Sequence, residues 1–373
     1  MHILIAPNAF KNSLSAQQAA YAIKQGLIRS RLNASCTLHP IADGGDGTLE
    51  TMLAQTPGER ISVIVEDALG RPIEATLGII HQGKTAIVEM AEASGLRRLS
   101  PGELAPERAS TYGTGQLMTA ALDAGVSEIV VGLGGSATLD GGLGMAQALG
   151  MACLDAQGNP VDRGAQGLLA LRSIDTNGLD TRLRDCQVTV MCDVTQTIME
   201  AAPVFGPQKG ASPTLIAQLG PAFENYVALL QTTLQKDVMQ LSGGGAAGGL
   251  GAGLYAFLNA RMVNGTAYLL EQTGFEKALR KTDLLITAEG ALDEQTQSGK
   301  GPYYVSERAR KAGKPVVMLV GSFPKDYAPE AYPLYDVVLA IGAKPQTLTE
   351  ALKNTAVDLE RTAYQVGNLL ALT

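Results

Sequence analysis

The sequence has little of several residue types on which common functional sites depend. Its 373 residues include no tryptophan and only three scattered histidines, which are too few for a histidine-based metal site. The four cysteines form no CxxC pair and have no metal-ligand spacing. We therefore interpret them as small buried hydrophobic side chains in a reducing compartment.

The chain also lacks a positive charge excess and a membrane segment. Its net charge is −7, which predicts no nucleic-acid or anionic-membrane partner, because such partners require a basic surface. The apolar run in MHILIAPNAFK is too short for a signal peptide. Residues 238–260 carry no charge, but seven glycines between Gly243 and Gly253 argue against a membrane helix. We expect a cytoplasmic protein whose partners are small molecules.

Glycine, by contrast, is abundant, with 43 residues clustered in loops. Strand and helix patterns alternate near both ends of the chain, whereas residues 61–90 favour short antiparallel strands. At this length more than one domain is expected. The sequence therefore predicts an α/β fold in which a discontinuous parallel-sheet domain, residues 1–60 plus 275–373, carries an inserted α/β domain, residues 61–274.

Acids, lysines and hydroxyls follow nearly every predicted strand. Ligands of open α/β sheets bind at the carboxyl ends of the strands, so the candidate site residues are those at these positions: Asn8, Lys11, Asp43, Asp46, Ser136, Thr138, Asp140, Asp193, Glu289 and Asp293. Carboxylates for Mg²⁺, a lysine and close glycine amides suit phosphoryl transfer, which requires mainly positioning and charge neutralisation. Each residue alone would more often be a solvated loop residue.

Two loops add to this pattern. Residues 133–142, which include Gly134 and Gly135, combine glycines with hydroxyls before a predicted helix, an arrangement that can cradle a phosphate. The same spacing is also typical of a tight strand–helix turn. Lys209 lies in a second glycine-flanked loop, which in isolation is also consistent with a simple turn.

Three other familiar sequence motifs are not matched by the chain in the required form. The GGGAAG segment at 243–248 fits GxGxxG, but a helix-like stretch precedes it instead of the strand that a dinucleotide site requires. No Walker A loop is present, since Gln297-Ser-Gly-Lys-Gly301 lacks the first glycine and the Ser/Thr after the lysine. There is no GxSxG motif, so a serine hydrolase is not indicated.

Eight segments together resemble, in order, the motifs of the bacterial glycerate kinase family. They are APNAFKNSLSA (6–16), IADGGDGT (41–48), YGTGQLM (112–118), GLGGSATLDGG (132–142), MCDV (191–194), VFGPQKGAS (204–212), GGGAAGGLGAGL (243–254) and ITAEGALDEQTQSGK (286–300). The resemblance implies a Rossmann-like or flavodoxin-like domain with an inserted domain and a cleft between them. It further implies ATP with Mg²⁺ as cofactors and glycerate as acceptor, with 2-phosphoglycerate as the expected product.

The resemblance and the charges suggest a role for each residue. We expect Lys11 and Lys209 to neutralise phosphate or the glycerate carboxylate, Asp43 to orient the acceptor hydroxyl, and Asp193, Glu289 and Asp293 to compete for the metal. Asp46, Lys300 and the 134–138 loop are expected to bind substrate or nucleotide. One departure is Asn8, where the family usually has aspartate.

Other functions fit the residues less closely but stay open. They are a glycerate 3-kinase or a kinase of a related small hydroxy acid, a nicotinamide-dependent oxidoreductase that uses the GxGxxG segment, and an inactive protein that senses a sugar acid or nucleotide.

Overall fold

The computed structural model of the protein describes residues 1–42, 44–45, 47–292 and 301–372. The chain divides into two compact units. Unit 1 consists of Met1–Asp43, Glu50–Gln55 and Thr266–Thr373, and unit 2 consists of Gly44–Leu49 and Thr56–Gly265. Each unit has its own sheet and hydrophobic core.

Strands and helices alternate through most of the chain. The strands are β1 (His2–Ile5), β2 (Ser35–Leu38), β3 (Gly58–Glu66), β4 (Pro72–Ile80), β5 (Thr85–Glu89), β6 (Glu128–Gly132), β7 (Ala152–Leu154), β8 (Ser173–Asp175), β9 (Gln187–Met191), β10 (Arg261–Val263), β11 (Leu284–Glu289), β12 (Val316–Val320) and β13 (Val337–Ala340). The helices are α1 (Ala16–Arg29), α2 (Thr48–Gln55), α3 (Ala91–Ser94), α4 (Tyr112–Asp123), α5 (Leu143–Ala148), α6 (Ala165–Ala170), α7 (Ala201–Phe205), α8 (Pro213–Leu234), α9 (Ala246–Leu258), α10 (Gly265–Gln272), α11 (Phe275–Leu279), α12 (Gly301–Lys311) and α13 (Leu348–Leu370). Among the described residues, no helix is long and apolar enough to cross a membrane.

The sheet of unit 1 has the strand order β13-β12-β11-β1-β2, and all its neighbouring strands are parallel. Successive residues of a strand point to opposite faces. Accordingly, Ile3 and Ile5 belong to the same core cluster as residues of α1 and α13. Leu4 and Ala6 belong to a second cluster with residues of α11 and α12. Both faces of the sheet are thus covered by helices, as parallel sheets require.

Helices α1 and α13 pack against each other very closely. Capping boxes begin both of them, formed by Ser15 with Gln18 and by Thr347 with Glu350, as the S-x-x-Q pattern at Ser15 predicts. A side chain at Gly26 would overlap the carbonyl oxygen of Glu360. The absence of a Cβ at this position therefore sets the distance between the two helices.

The sheet of unit 2 is mixed, with the order β10-β9-β6-β5-β4-β3. Strand β4 is antiparallel to both β3 and β5, and β5, β6, β9 and β10 form a parallel series. The antiparallel strands are those that the run of β-forming residues at 61–90 predicts. The predicted α/β class with parallel sheets is confirmed.

Candidate functional site

The carboxyl ends of three parallel strands lie side by side in unit 2. Glu89 of β5 is paired in register with Gly132 of β6, and Gly132 with Met191 of β9. Asp193 follows β9 by two residues. Because ligands of α/β sheets bind at such strand ends, this edge is the natural place for a site in unit 2.

Glycines allow a backbone segment to lie directly on this edge. The carbonyl oxygen of Gly44 accepts the N–H of Gly134 at 3.3 Å. A Cβ on Gly132 would come within 2.6 Å of that same oxygen, and a Cβ on Gly134 would overlap the Cα of Gly45. Gly132 and Gly134 of the GLGGSATLDGG motif are thus required by the close approach of the IADGGDGT backbone.

Two carboxylates flank the edge. The Oδ1 of Asp193, which is half-buried, accepts the N–H of Gly265 at 2.7 Å. Glu89 is buried, and its Oε1 accepts the N–H of Leu49 at 2.7 Å. Its other oxygen lies 3.7 Å from a guanidinium nitrogen of Arg97. Glu89 is not among the residues predicted from the sequence, although an acid at the end of an apolar strand pattern is a signal for such a position.

The glycine-rich loop, residues 133–142, has an exposed tip and a buried base. Gly135 is exposed with a φ of +77°, whereas Ser136 and Thr138 are buried. The backbone around them is fixed by neighbouring elements: Leu96 N–H donates to the Gly135 oxygen at 2.8 Å, and Ala137 N–H donates to the Ser94 oxygen at 2.9 Å. The loop is therefore preorganised, with its glycine tip accessible.

Lys209 contacts the buried base of this loop and not its exposed tip. Its side chain is only 2% exposed, and its Nζ donates to the hydroxyl of Ser136 at 2.7 Å and to the carbonyl oxygen of Thr138 at 2.8 Å. Burial lowers the pKa of Lys209 to about 7, against the opposing effect of the Asp140 charge. The structure thus places the Lys209 amine in the interior of unit 2.

Asp140 holds the other end of the glycine-rich loop. Its Oδ2 accepts the N–H of Thr111 at 2.8 Å, the hydroxyl of Thr111 at 2.9 Å and the N–H of Gly144 at 3.3 Å, and its Oδ1 accepts the N–H of Gly142 at 3.1 Å. Burial raises the pKa of Asp140, while these hydrogen bonds oppose the rise. The carboxylate thereby links the loop to the start of α4.

Unit 1 presents a second set of polar residues at the carboxyl ends of its strands. Lys11 is exposed in the turn after β1, and Glu289 ends β11 and is buried. The Asn8 N–H donates to the Ala288 oxygen at 2.8 Å. A Cβ on Gly290 would lie 3.9 Å from the backbone nitrogen of Lys11, so the turn that carries Lys11 and the end of β11 are neighbours at one edge of this sheet.

Comparison with known proteins identifies the family to which the chain belongs. The model of the glycerate kinase family matches residues 3–371 of the chain. The chain belongs to the glycerate kinase family. It is 40% identical over 368 residues to a glycerate kinase of Halalkalibacterium halodurans, covering 98% of this chain and 97% of the relative. It is 39% identical over 375 residues to glycerate 2-kinase of Escherichia coli, covering 100% and 98%. A crystal structure described as glycerate kinase 2 of Salmonella typhimurium superposes with a TM-score of 0.86 at 43% identity, covering 99% of this chain and 98% of that one.

The resemblance to the glycerate kinase family is thereby confirmed. The site residues predicted from it fall into three groups by position. Lys11 and Glu289 lie in unit 1, and Gly134, Gly135, Ser136, Thr138, Asp193 and Lys209 lie in unit 2. Asp43, Asp46, Asp293 and Lys300 lie outside the described residues.

The GGGAAG segment of this glycerate kinase family member has a packing role. It follows the helix α8 and not a strand. A Cβ on Gly248 would overlap the carbonyl oxygen of Thr138, and the Gly248 oxygen accepts the N–H of Gly141 at 3.0 Å. Its glycines therefore allow α9 to lie against the glycine-rich loop, and no dinucleotide-binding turn is formed there.

Proposed function

We propose that this protein transfers the γ-phosphate of ATP to the 2-hydroxyl of D-glycerate and forms 2-phosphoglycerate. The observation that carries the proposal is the full-length similarity to the glycerate 2-kinase of Escherichia coli, at 39% identity over 375 residues. In the reaction, a new bond forms between the glycerate oxygen and phosphorus, the bond to ADP breaks, and the hydroxyl proton passes to a base. ATP as co-substrate agrees with membership of a kinase family, and we propose a cytoplasmic location, where ATP is available.

Each residue predicted from the sequence can be given a role in this chemistry. We assign the proton-accepting or orienting role to Asp43, the neutralisation of phosphate or glycerate carboxylate to Lys11, and substrate or nucleotide contacts to Asp46, Lys300 and the glycine-rich loop. The exposed glycine tip of that loop, above a fixed base, supports its part in phosphate binding. Preorganised donors of this kind favour phosphoryl transfer by positioning and charge stabilisation.

Mg²⁺ fits the donor chemistry of the candidate acids. Among the described residues no group of three potential metal ligands is present. Mg²⁺ that is bound together with a nucleotide needs fewer protein ligands, since one or two carboxylates, substrate phosphates and waters complete its coordination. Asp193, Glu289 and Asp293 are the candidates, and one oxygen of Asp193 already accepts the Gly265 N–H. When bound, the ion neutralises charge on the transferring phosphates.

We further propose that the two compact units correspond to the discontinuous domain and its insertion, with limits near 1–60 plus 275–373 and 61–274. The boundaries of the units, at 55–56 and 265–266, lie close to these limits. Expression of residues 56–265 alone would test this proposal. A cooperative unfolding transition and near-native hydrogen-exchange protection of β5, β6 and β9 are expected of an independent domain, and a disordered product would contradict it.

An enolase-coupled assay tests the activity and its regiochemistry together. With D-glycerate, ATP and Mg²⁺, the protein and enolase should form phosphoenolpyruvate directly, because enolase acts on 2-phosphoglycerate. A signal that requires added phosphoglycerate mutase would instead identify a 3-kinase. Binding of ATP or glycerate without any phosphorylated product in ³¹P spectra would favour a sensor, and tight NADH binding would favour the oxidoreductase alternative.

A further inference from the structure

Lys209 is a buried lysine, and the cost of removing its amine from water needs an explanation. Lysine is almost never fully buried without a partner, and transfer of an ammonium group out of water is unfavourable unless it is hydrogen-bonded. Here both hydrogen bonds of the amine go to one short segment, at Ser136 and Thr138. That segment lies more than seventy residues earlier in the chain, so the contact joins two distant loops.

The position of these two acceptors indicates what the amine does. Ser136 and Thr138 flank Ala137, whose N–H donates to the carbonyl oxygen of Ser94 at 2.9 Å. The Thr138 hydroxyl donates to the Ala247 oxygen at 3.3 Å. Residues 136–138 are therefore held by several hydrogen bonds, and the Lys209 amine is the side-chain donor that reaches both Ser136 and Thr138. The exposed tip at Gly135 precedes this base directly.

We propose that Lys209 is a positioning residue that fixes the base of the glycine-rich loop from inside unit 2 and does not itself contact a substrate phosphate. Lys209 is only 2% exposed, and its amine donates to Ser136 and Thr138 of the loop. Both observations support this role over the direct neutralisation of a substrate phosphate or carboxylate that the sequence predicts. The Asp140 carboxylate holds the opposite end of the loop through Thr111, Gly142 and Gly144, whereas the Lys209 amine donates to Ser136 and Thr138. The consequence for catalysis rests on the proposed function, in which this loop binds phosphate.

The first test needs no substrate. Lys209→Met keeps an unbranched side chain and removes the donor, and Lys84→Met, at an exposed lysine of unit 2, is the matched control. Hydrogen exchange of the peptide that covers residues 133–142 should be about tenfold faster in Lys209→Met than in wild type or Lys84→Met. Unchanged exchange of this peptide would overturn the proposal whether or not the protein phosphorylates glycerate.

The second test separates positioning from direct contact. Ser136→Ala removes one acceptor and leaves the lysine in place. If Lys209 acts through the loop, each single variant raises the KM for ATP by about fivefold or more, and the double variant is little worse than the poorer single variant. Additive effects would indicate a direct phosphate contact and would contradict the proposal. A lower unfolding temperature with an unchanged KM would reduce Lys209 to a stabilising residue and would equally contradict it.

If Lys209→Met does not fold, a second variant still tests the proposal. Ser136→Ala, a smaller change, is then measured alone by the same exchange experiment. Faster exchange of the 133–142 peptide supports the link to Lys209, and wild-type exchange refutes it. Absence of glycerate kinase activity in the wild type would reject the proposed function only, because the exchange data stand without it.

Discussion

The carboxylate of Glu89 accepts the backbone N–H of Leu49 at 2.7 Å, although the two residues are 40 positions apart in the chain. Glu89 ends β5, and Leu49 lies in the first turn of α2, directly after the glycine segment that packs on β6. The first N–H groups of a helix lack partners within it, and they attract negative charge. Glu89 thus anchors the start of α2 beside the motif that carries Asp43 and Asp46.

Replacement of Glu89 tests this anchoring role. Glu89→Gln keeps an acceptor for the Leu49 N–H, so we expect near-normal stability and activity. Glu89→Ala leaves a buried donor without this partner, which should cost about 1–3 kcal/mol of unfolding free energy and lower kcat/KM by about tenfold or more through displacement of the neighbouring motif. Urea unfolding and steady-state kinetics measure both effects. Equal behaviour of the two variants would show that the hydrogen bond is unimportant.

Removal of the Asp43 carboxylate tests the assignment of the base. Loss of a group that acts mainly in the transition state lowers kcat, whereas loss of a ground-state contact raises KM. We expect Asp43→Ala to reduce kcat by about 10²-fold or more with a smaller change in KM for glycerate. Glu59 and Glu330 are exposed acids of the two units, and their alanine variants serve as controls. Similar mild effects at all three positions would identify Asp43 as a solvated loop residue.

The fold and the family could be predicted from the sequence because their signals are local. Alternating apolar runs and the Ser15 capping box mark strands and helices directly, and the β-forming residues at 61–90 mark the antiparallel part of unit 2. The mismatch of the 243–248 segment with a dinucleotide site also follows from local context, since no strand precedes it. These features depend on neighbouring residues, which periodicity and turn chemistry describe well.

The arrangement of the site could not be predicted in the same way, because it depends on long-range contacts. Lys209 resembles a phosphate-binding lysine by its glycine neighbours, and only the folded chain shows that its amine donates to Ser136 and Thr138 in the interior. Glu89 resembles the polar end of a buried strand, and its partner Leu49 is distant in sequence. Which loops meet is a property of topology that spacing along the chain does not reveal.

The buried amine of Lys209 should also affect the pH dependence of stability. Burial lowers the pKa of Lys209 to about 7, whereas an unfolded lysine titrates near 10.4. Between these values the unfolded state binds the additional proton, so the contribution of Lys209 to the unfolding free energy rises with pH, by up to about 1.4 kcal/mol per unit. Below pH 7 both states are protonated and the contribution is constant.

Lys209→Met removes this contribution. Urea unfolding of wild type and variant between pH 6 and 9.5 should give a stability difference that is flat near pH 6 and grows in favour of the wild type as the pH rises above 7. Lys84→Met should follow the wild type throughout, because Lys84 is exposed. Parallel curves for wild type and Lys209→Met would mean that Lys209 keeps its proton in the folded protein.

The last prediction concerns Asn8, where the family usually has aspartate. The Asn8 side-chain oxygen accepts the N–H of Ala9 at 2.8 Å, and its backbone N–H donates to Ala288 at 2.8 Å. Both contacts shape the turn after β1, and an aspartate oxygen can make the same side-chain contact. A carboxylate at this position would also add a charge three residues before Lys11 and near the end of β11.

These contacts favour a structural role for position 8, so we expect Asn8→Asp to change little. Titration of activity with Mg²⁺ should then give the same half-saturation for wild type and Asn8→Asp, with kcat within about twofold. If position 8 normally supplies a metal ligand, the variant should bind Mg²⁺ about tenfold more tightly, equivalent to about 1.4 kcal/mol, and should have a higher kcat. If the new carboxylate instead pairs with Lys11, the KM for ATP or glycerate should rise while the Mg²⁺ titration stays unchanged. The structural role is rejected by either of these two results, and each assigns a different function to the first loop of unit 1.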